Sequence, residues 1–442
     1  MLSRSLHLFY GCMLLFFNTT LQAESGLKSA EYNTGSHDIN QNINPGKTSR
    51  INLQNAISKT FEHNPELRTF SYALKAQAGR QLQARLSASP ELKFSVEDAA
   101  GTGEFTGTDN AQATLSIGWV LEGDIRQGYI DVSSAGSSSL STEETTKRLD
   151  AAAETARLYL ICLAYQARMM NAVKTVELAK ETVSAVKKRV SAGRAPEAEL
   201  ARAQAEISRR QLQQEDISHE LSSAIRLLAA QWGETRPGFT QVEGDIFNIP
   251  ASIPYEALRE RLEQSPAFLH LLSDKRLKQA QLKLAKSQSD SPWRVNLGVR
   301  HFETTNDQAL VAGISIPFGE RSRNSGRIME ARENLSQTQA KEDELRVRFE
   351  TTLYVLSQEL EHSLHRLNTY RDHIIPQLEK ALKQTRRAYK LGRYSYLEWS
   401  SVQAELLAAR SALVEASIDA HLKTIEIERL TGVQIAQVGD KS

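Results

Sequence analysis

The sequence contains little cysteine, with only Cys12 and Cys162 in 442 residues. Cys12 lies in an N-terminal segment that we expect to be removed, and Cys162 stands alone in a helical pattern. This arrangement excludes an intramolecular disulfide framework, even in an exported protein. Side-chain packing must therefore stabilise the fold.

An excess of one charge and the motifs of catalysis are also missing. The 54 Lys and Arg residues balance 53 Asp and Glu residues, and their scattered positions leave no basic footprint for nucleic acid. No phosphate-binding loop, nucleophile elbow or HExxH motif is present, so we expect neither an enzyme nor a cofactor. His362, His365 and His373 share one helical run without a known zinc spacing. We interpret them as surface histidines and predict no metal site.

Long apolar runs are scarce. The apolar run over residues 6–17 is shorter than the roughly 20 residues of a membrane-spanning helix. It is followed by small residues ending at Ala23, which are typical of a signal peptidase cleavage site. We predict a secretory signal peptide at residues 1–23. Lipidation of Cys12 is the alternative, which the preceding Phe9-Tyr10-Gly11 disfavours. No later stretch approaches the length of a spanning helix, so we expect any membrane crossing to be made by strands.

A long internal repeat organises the chain. The segments AGRAPEAELARAQAE, around Gly193, and LGRYSYLEWSSVQAE, around Gly392, align with Glu199 opposite Glu398. Each copy joins two strongly helical segments, which predicts two copies of one large helical hairpin. The predicted division is a signal peptide at 1–23, a polar lead-in at 24–50, a first structural repeat at 51–240, a second at 241–432 and a tail at 433–442.

Each half also contains a pair of segments with alternating apolar residues, as in β-strands. The pairs lie at 91–99 and 112–122, and at 294–304 and 309–319. Each segment has the length of about 9–11 residues that a tilted transmembrane strand needs. Arg294, Arg300 and His301 fit a lipid-facing position poorly, so we expect them to face a lumen or to lie at the strand ends.

The remaining sequence is predicted to be helical. Residues 53–86 and 255–286 each read as one helix, and 141–192 contain no Gly or Pro, enough for a helix of roughly 75 Å. A returning helix is predicted at 196–231. The second half repeats this pattern, with helices at 325–391 and 396–430 and an interruption at Pro376.

Four strands are too few to close a membrane barrel, because the smallest bacterial barrels have about eight. Three protomers of four strands each would close a 12-stranded barrel and would gather the long hairpins into a helical tube. The predicted fold class is mainly α with a small β part: duplicated helical hairpins in a trimeric α-helical tunnel below a shared transmembrane barrel. A secreted coiled-coil scaffold or adhesin without a pore is the alternative function.

The chain resembles the TolC-like outer membrane efflux proteins from about Ile51 to Gly432. The segment from Tyr389 to Arg393, followed by Glu398, is similar to the periplasmic tip of that family. The resemblance implies a homotrimeric exit duct in the outer membrane of a Gram-negative bacterium. It further implies contact with outer membrane lipid, a periplasmic adaptor and an inner membrane pump of the resistance-nodulation-division type. Ser401 departs from the family, which often has a second acid there.

The resemblance assigns the site residues to the two hairpin tips. Residues of the gate are expected to be Glu199, Glu398, Tyr389 and Arg393. Residues of the hairpin turns and of adaptor docking are expected to be Gly193, Arg194, Gly392, Tyr394 and Tyr396. The two acids either face a three-fold axis, where they would attract cations, or are solvated acids in the first turn of a helix, where the dipole favours them.

Overall fold

The structure, a computed structural model, describes residues 50–249, 251–290, 292–317 and 323–432. The predicted signal peptide, the C-terminal tail and all of the lead-in except Arg50 lie outside these residues. The described chain is mostly helical with a small sheet part, as predicted. Among the described helices, none is both long and apolar enough to cross a membrane.

The first half builds two short helices, a strand pair and a long helical hairpin. Its elements are β1 (Arg50–Ile51), α1 (Leu53–His63), α2 (Pro65–Arg85), β2 (Glu91–Glu97), β3 (Gln112–Leu121), α3 (Asp124–Ser191) and α4 (Glu197–Ala230). Helix α3 has 68 residues, which corresponds to a length of about 100 Å. Helices α3 and α4, with the turn at 192–196, form the first hairpin.

The second half follows the same order. Its elements are β4 (Gln241–Val242), α5 (Tyr255–Arg259), α6 (Pro266–Ser287), β5 (Trp293–Phe302), β6 (Asp307–Ser315), α7 (Ser325–Thr369), α8 (Ile375–Lys390) and α9 (Tyr396–Thr431). A π-helical turn at Tyr370–Ile374 joins α7 to α8. Helices α8 and α9, with the turn at 391–395, form the second hairpin.

The helices predicted at 53–86 and 255–286 are both broken, and a side-chain cap explains each break. The Asn64 side chain accepts hydrogen bonds from the N–H groups of Glu66 (2.8 Å) and Leu67 (3.1 Å), which starts α2 at Pro65. The Ser265 hydroxyl accepts from the N–H of Phe268 and starts α6 in the same way. A polar cap followed by proline at the first helical position favours a new helix over continuation of the old one.

Pro376 interrupts the helical run of the second half, as predicted. Proline cannot donate a backbone hydrogen bond to the preceding turn. The chain accommodates this by widening into the π-helical turn at Tyr370–Ile374 just before the proline, and α8 then continues to Lys390. The interruption therefore changes the helical geometry over one turn, and the helical run continues from α7 into α8.

The four longer strands form one antiparallel sheet in the order β2-β3-β5-β6. The register pairs Leu115 with Phe94 and Val299, whereas Thr114 pairs with Ser95 and Arg300. Because side chains alternate between the faces of a sheet, this register creates one apolar and one polar face. The exposed large side chains of the apolar face are Leu92, Phe94, Val96, Leu115, Ile117, Trp119, Leu121, Trp293, Leu297, Val299, Leu310 and Ile314.

The charged residues of β5 obey this division. Arg294 and Arg300 have the register of the polar face, and His301 has the register of the apolar face but lies one residue before the end of β5. All four strands begin or end within a few residues of the predicted bounds. The predicted strand residues 318–319 lie outside the described residues.

The largest core lies at the level of β1 and β4, between α1, α3, α4 and α9. Tyr159 is fully buried there, and its hydroxyl donates to the Ile51 carbonyl at 3.0 Å. Strands β1 and β4 pair in parallel through Ile51 and Val242. The sequence analysis missed this pair because two residues are too short to show an alternating pattern. The two hairpin turns lie at the far ends of their helices from the four-stranded sheet.

Candidate functional site at the hairpin tips

The first hairpin turn ends α3 through a specific backbone motif. Gly193 has a φ of +65°, and the N–H groups of Gly193 and Arg194 donate to the carbonyls of Val190 (2.9 Å) and Arg189 (2.8 Å). This is the Schellman pattern, in which a left-handed residue closes the helix and satisfies its last carbonyls. A side chain at this φ would strain the backbone, so glycine is required at position 193.

The second turn uses the same motif. Gly392 has a φ of +78°, and the N–H groups of Gly392 and Arg393 donate to the carbonyls of Tyr389 and Ala388, both at 3.0 Å. The repeated Gly-Arg pair of the sequence thus corresponds to two equivalent helix ends. Arg393 contributes its backbone N–H to this turn. The gate role expected for its side chain remains a prediction.

Behind the turns lies a small buried core, which we call the tip cluster; it consists of Val186, Ala203, Tyr389, Tyr396 and Trp399. The first two residues come from the first hairpin and the three aromatic residues come from the second. Tyr389 and Trp399 are each 1% exposed, and their ring centroids lie 5.0 Å apart. An aromatic pair of this kind stabilises a fold by about 0.5–1.5 kcal/mol beyond its buried area. The tip cluster therefore fastens the two hairpins together.

A hydrogen bond between the hairpins involves two of the predicted gate residues. The Tyr389 hydroxyl, on α8, donates to Oε2 of Glu199, on α4, at 2.9 Å. Burial raises the pKa of Tyr389, and the hydrogen bond to Glu199 raises it further, so the hydroxyl stays protonated at any physiological pH. Glu199 is half-buried and occupies the first turn of α4. Its carboxylate thus links the start of α4 to the end of α8.

Glu398 has different surroundings, although it aligns with Glu199 in the sequence. Its Oε2 accepts hydrogen bonds from the N–H (2.7 Å) and the hydroxyl (2.8 Å) of Ser395, and the Ser395 hydroxyl accepts from the Glu398 N–H at 3.3 Å. These bonds form a capping box at the start of α9. The backbone N–H of Ser395, followed by its hydroxyl, lowers the pKa of Glu398. At the first turn of α4 the cap position is Pro196, which offers no such bond.

The sequence analysis missed Arg189, which contacts both the first hairpin turn and the end of α8. Its guanidinium donates to the carbonyls of Tyr389 (2.5 Å) and Arg194 (3.0 Å), and its carbon Cζ lies 4.4 Å from the centroid of the Tyr389 ring. The available signal was its place in the last turn of α3, where a cation interacts favourably with the helix dipole. That signal is shared by Lys188, so it could not single out Arg189.

The predicted docking residues differ in what they present to solvent. Gly193, Arg194, Gly392 and Tyr394 are all exposed and form the outer surface of the two turns. Tyr396 is 6% exposed and packs in the tip cluster. Its side chain therefore presents little surface in the described chain, and adaptor docking remains a prediction for all five residues.

At the opposite end, the polar face of the sheet carries a connected group of side chains. Arg300 donates to Thr114 Oγ1 (2.9 Å) and Gln112 Oε1 (3.1 Å) and forms an ion pair with Glu97 at 3.2 Å. This group spans strands β2, β3 and β5. A hydrated space on this face would satisfy its remaining polar atoms.

The histidines of the second half do not come together in a binding site. Among the residues that the structure describes, no group of three or more His, Cys, Asp or Glu side chains is placed to hold a metal ion. His362 lies beside the ion pair of Arg366 and Asp419, whose charged atoms are 3.6 Å apart. The described surface thus shows no arrangement of metal ligands.

Comparisons with known proteins connect this geometry to characterised chains. The profile of the family described as "Outer membrane efflux protein" matches residues 56–234. The cobalt-zinc-cadmium resistance protein of Cupriavidus metallidurans is 25% identical, over 86% of this chain and 90% of the relative. The nickel-cobalt-cadmium resistance protein of Alcaligenes xylosoxydans xylosoxydans is 24% identical, over 66% of each chain.

Solved structures show the same fold. The outer membrane protein VceC of Vibrio cholerae superposes with a TM-score of 0.72 at 17% identity, covering 87% of this chain and 97% of that chain. The two chains share long paired helices and a small sheet. The chain is thus similar to the outer membrane efflux protein family over residues 56–234 and shares its fold with solved outer membrane channels.

Proposed function

We propose that three copies of this chain form a passive exit duct, which receives substrates from a periplasmic adaptor and an inner membrane pump. The single observation that carries this proposal is the two-faced sheet. Its apolar face suits lipid and its polar face, with Arg300 bonded to Glu97 and Thr114, suits an aqueous lumen. A pore needs both surfaces on the same strands.

The unpaired sheet edges support the assembly of three copies. Strands β2 and β6 lie at the two edges of the sheet, so each has backbone groups that no strand among the described residues satisfies. Unpaired edges are very costly within lipid, where water is absent. In a trimer, β6 of one protomer would pair with β2 of the next and close a 12-stranded barrel. The helical hairpins would then surround a tunnel below it.

The tip of this tunnel is the proposed gate. Glu199 and Tyr389 hold the first hairpin to the second, and Glu398 holds the start of α9 in place. Opening would require the second hairpin to move away from the first, which breaks the bond between Tyr389 and Glu199. Arg393 would contact the next protomer from its exposed position. The chain itself would perform no chemistry during this step.

The two turns would bind non-equivalent faces of the adaptor. The first turn is Ala195-Pro196-Glu197, whereas the second presents the exposed Tyr394. Family members act as trimeric channels with adaptor and pump partners. A pump of the resistance-nodulation-division type is the proposed inner membrane partner. The tandem arrangement of repeats at 51–240 and 241–432 would then place two different tips per protomer at this contact.

The proposed cargo is a divalent transition-metal ion. The relatives that match are named for resistance to cobalt, zinc, cadmium and nickel. Export through a duct requires only weak and transient contact with the wall. Exposed carboxylates such as Glu197 would attract cations to the tip without retaining them.

The test combines localisation, conductance and metal tolerance. A heat-modifiable trimer should appear in outer membrane fractions, and the purified trimer should conduct ions in planar bilayers. Deletion of the chromosomal copy should lower tolerance to cobalt, zinc or cadmium, and the plasmid-borne chain should restore it. Complete extraction of the chain by high salt or high pH would refute the duct. Unchanged metal tolerance with altered antibiotic tolerance would refute only the cargo.

A further inference from the structure

Arg189 is a side chain of the first hairpin that bonds both its own turn and the end of α8. It is half-buried in the last turn of α3. One of its terminal nitrogens donates to the carbonyl of Arg194 in its own turn, at 3.0 Å. The other crosses to the second hairpin and donates to the carbonyl of Tyr389, at 2.5 Å. A single residue thereby connects the ends of α3 and α8.

The same guanidinium also packs on the ring of Tyr389. Its carbon Cζ is 4.4 Å from the ring centroid, which is within the range of a favourable cation–π contact. The ring touches Trp399 as well, at a centroid distance of 5.0 Å. Tyr389 is thus held by α3 through Arg189, by α4 through Glu199 and by α9 through Trp399.

This placement determines where the Tyr389 hydroxyl points. The bond to Glu199 exists only while the ring keeps its present orientation, because the hydroxyl lies in the ring plane. Arg189 restrains both the ring and the carbonyl of the same residue. A planar guanidinium can bond two carbonyls and cover a ring at once, whereas a lysine ammonium offers one compact charge. The chemistry of the position therefore requires arginine.

We infer that Arg189 is a positioning residue of the tip: it orients Tyr389 toward Glu199 and so keeps the second hairpin fastened to the first. This inference rests on the gate in the proposed function. Loss of the Arg189 guanidinium should favour the open tip even though Tyr389 and Glu199 are both still present. The effect would pass from α3 to α4 through a residue of α8.

The experiment measures the single-channel conductance of purified trimers in planar bilayers. Arg189→Met keeps an unbranched apolar stem and removes the charge and the donors. We expect the ratio of open to closed tips to rise roughly five- to tenfold, as the loss of the cation–π contact and of the bond to the Tyr389 carbonyl implies. Arg189→Lys should give an intermediate increase, because it keeps the charge but cannot bond both carbonyls. Recovery as a heat-modifiable trimer shows that each variant has folded.

Arg386→Met is the matched control. Arg386 also joins α8 to α3, through an ion pair with Glu181 at 2.9 Å, but this pair is largely exposed and does not touch Tyr389. Exposed ion pairs contribute little, so this variant should conduct like the wild type. A similar rise in both variants would show that any lost contact between the hairpins loosens the tip, and it would refute a specific role for Arg189.

A double-mutant cycle separates positioning from general support. In a Tyr389→Leu background there is no hydroxyl to orient, and only the bond from Arg189 to the main-chain carbonyl of residue 389 remains. Arg189→Met should therefore change the open-to-closed ratio clearly less than it does in the wild-type background. Additive effects would overturn the inference.

If Tyr389→Phe opens the tip and neither Arg189 variant does, the inference fails and the gate stands. If none of these variants alters conductance, both the gate and the role of Arg189 are refuted, while the duct is retained. A trimer that does not conduct would refute the duct, the gate and the role of Arg189 together.

Discussion

The hydroxyl of Tyr389 donates to the carboxylate of Glu199 across 190 residues of sequence, and this bond joins the two helical hairpins at their tips. Tyr389 is almost completely buried and Glu199 is half-buried. A hydrogen bond to a charged group in such surroundings is stronger than one between neutral groups. In the proposed gate this contact would hold the tip closed, and one substitution would weaken it.

Tyr389→Phe tests this bond with the smallest change available. The ring stays in the tip cluster and only the donor is lost, so the closed tip should lose about 1.5 kcal/mol. We expect the conductance of the trimer in planar bilayers to increase. Tyr72→Phe is the control, since Tyr72 is an exposed tyrosine on α2, outside the tip. Equal conductance of the Tyr389→Phe variant and the wild type would contradict the gate.

Leu297→Asp tests the two faces of the sheet. Leu297 lies in the middle of β5 on the apolar face, and its neighbour Asn296 lies on the polar face. A charge that faces lipid at mid-strand costs on the order of 2 kcal/mol per protomer. We expect Leu297→Asp to reduce the amount of trimer in outer membrane fractions and Asn296→Asp to leave it unchanged. If Asn296→Asp reduced the amount of trimer and Leu297→Asp did not, the face of the sheet that carries Asn296 would be the one that contacts lipid.

Gly392→Ala tests the left-handed turn residue. Its φ of +78° disfavours any residue with a Cβ, so the variant should be destabilised by about 1–2 kcal/mol. Gly79→Ala is a control of opposite sign, because Gly79 is helical with open space around it and alanine should stabilise α2 by about 0.5–1 kcal/mol. Denaturant midpoints at one protein concentration would measure both. If both variants shifted the denaturant midpoint in the same direction, the left-handed conformation assigned to Gly392 would be contradicted.

Acid should weaken the cap of the second tip. The pKa of Glu398 is lowered from its ordinary value of 4.5, so the folded state favours the ionised carboxylate. Its stabilising effect is present above pH 4.5 and is lost as the pH falls through the lower pKa of the folded state. Hydrogen exchange at residues 391–400, corrected for the intrinsic rate, should therefore speed up below that pH.

Glu398→Gln provides the comparison for this acid effect. Glutamine can still fill the third position of a capping box, but it does not titrate. The pH dependence of exchange at the second tip should disappear in this variant, while exchange at the first tip should be unaffected. A variant that retains the acid-induced increase would show that another group is responsible.

The local features of the tips could be read from the sequence because short-range rules govern them. Gly193 and Gly392 were predicted as turn residues, and both end a helix in the left-handed conformation. The four strands followed from alternating apolar residues, which the register of the sheet explains. Tyr389 and Glu199 were each assigned to the tip, but by resemblance to a family, and their mutual bond was not foreseen.

Arg189 and Glu398 show the limit of such reasoning. Arg189 acts through a ring and a carbonyl that belong to the other hairpin, and no local pattern indicates which cation of α3 reaches them. Glu398 aligns with Glu199, yet Ser395 at the cap position directs its carboxylate to the backbone, whereas Pro196 cannot do this for the first hairpin. One cap residue therefore separates the roles of two acids that alignment treats as equal.

The sequence by itself determined the helical hairpins, their glycine-closed turns and the alternating strands, because these depend on residues a few positions apart. Only the tertiary structure decided that Arg189, Glu199 and Trp399 all contact Tyr389. These contacts join three helices to the end of a fourth, and they depend on how the two hairpins pack side by side. Packing between distant segments is set by the whole buried surface, so it is not encoded in any one stretch of the chain.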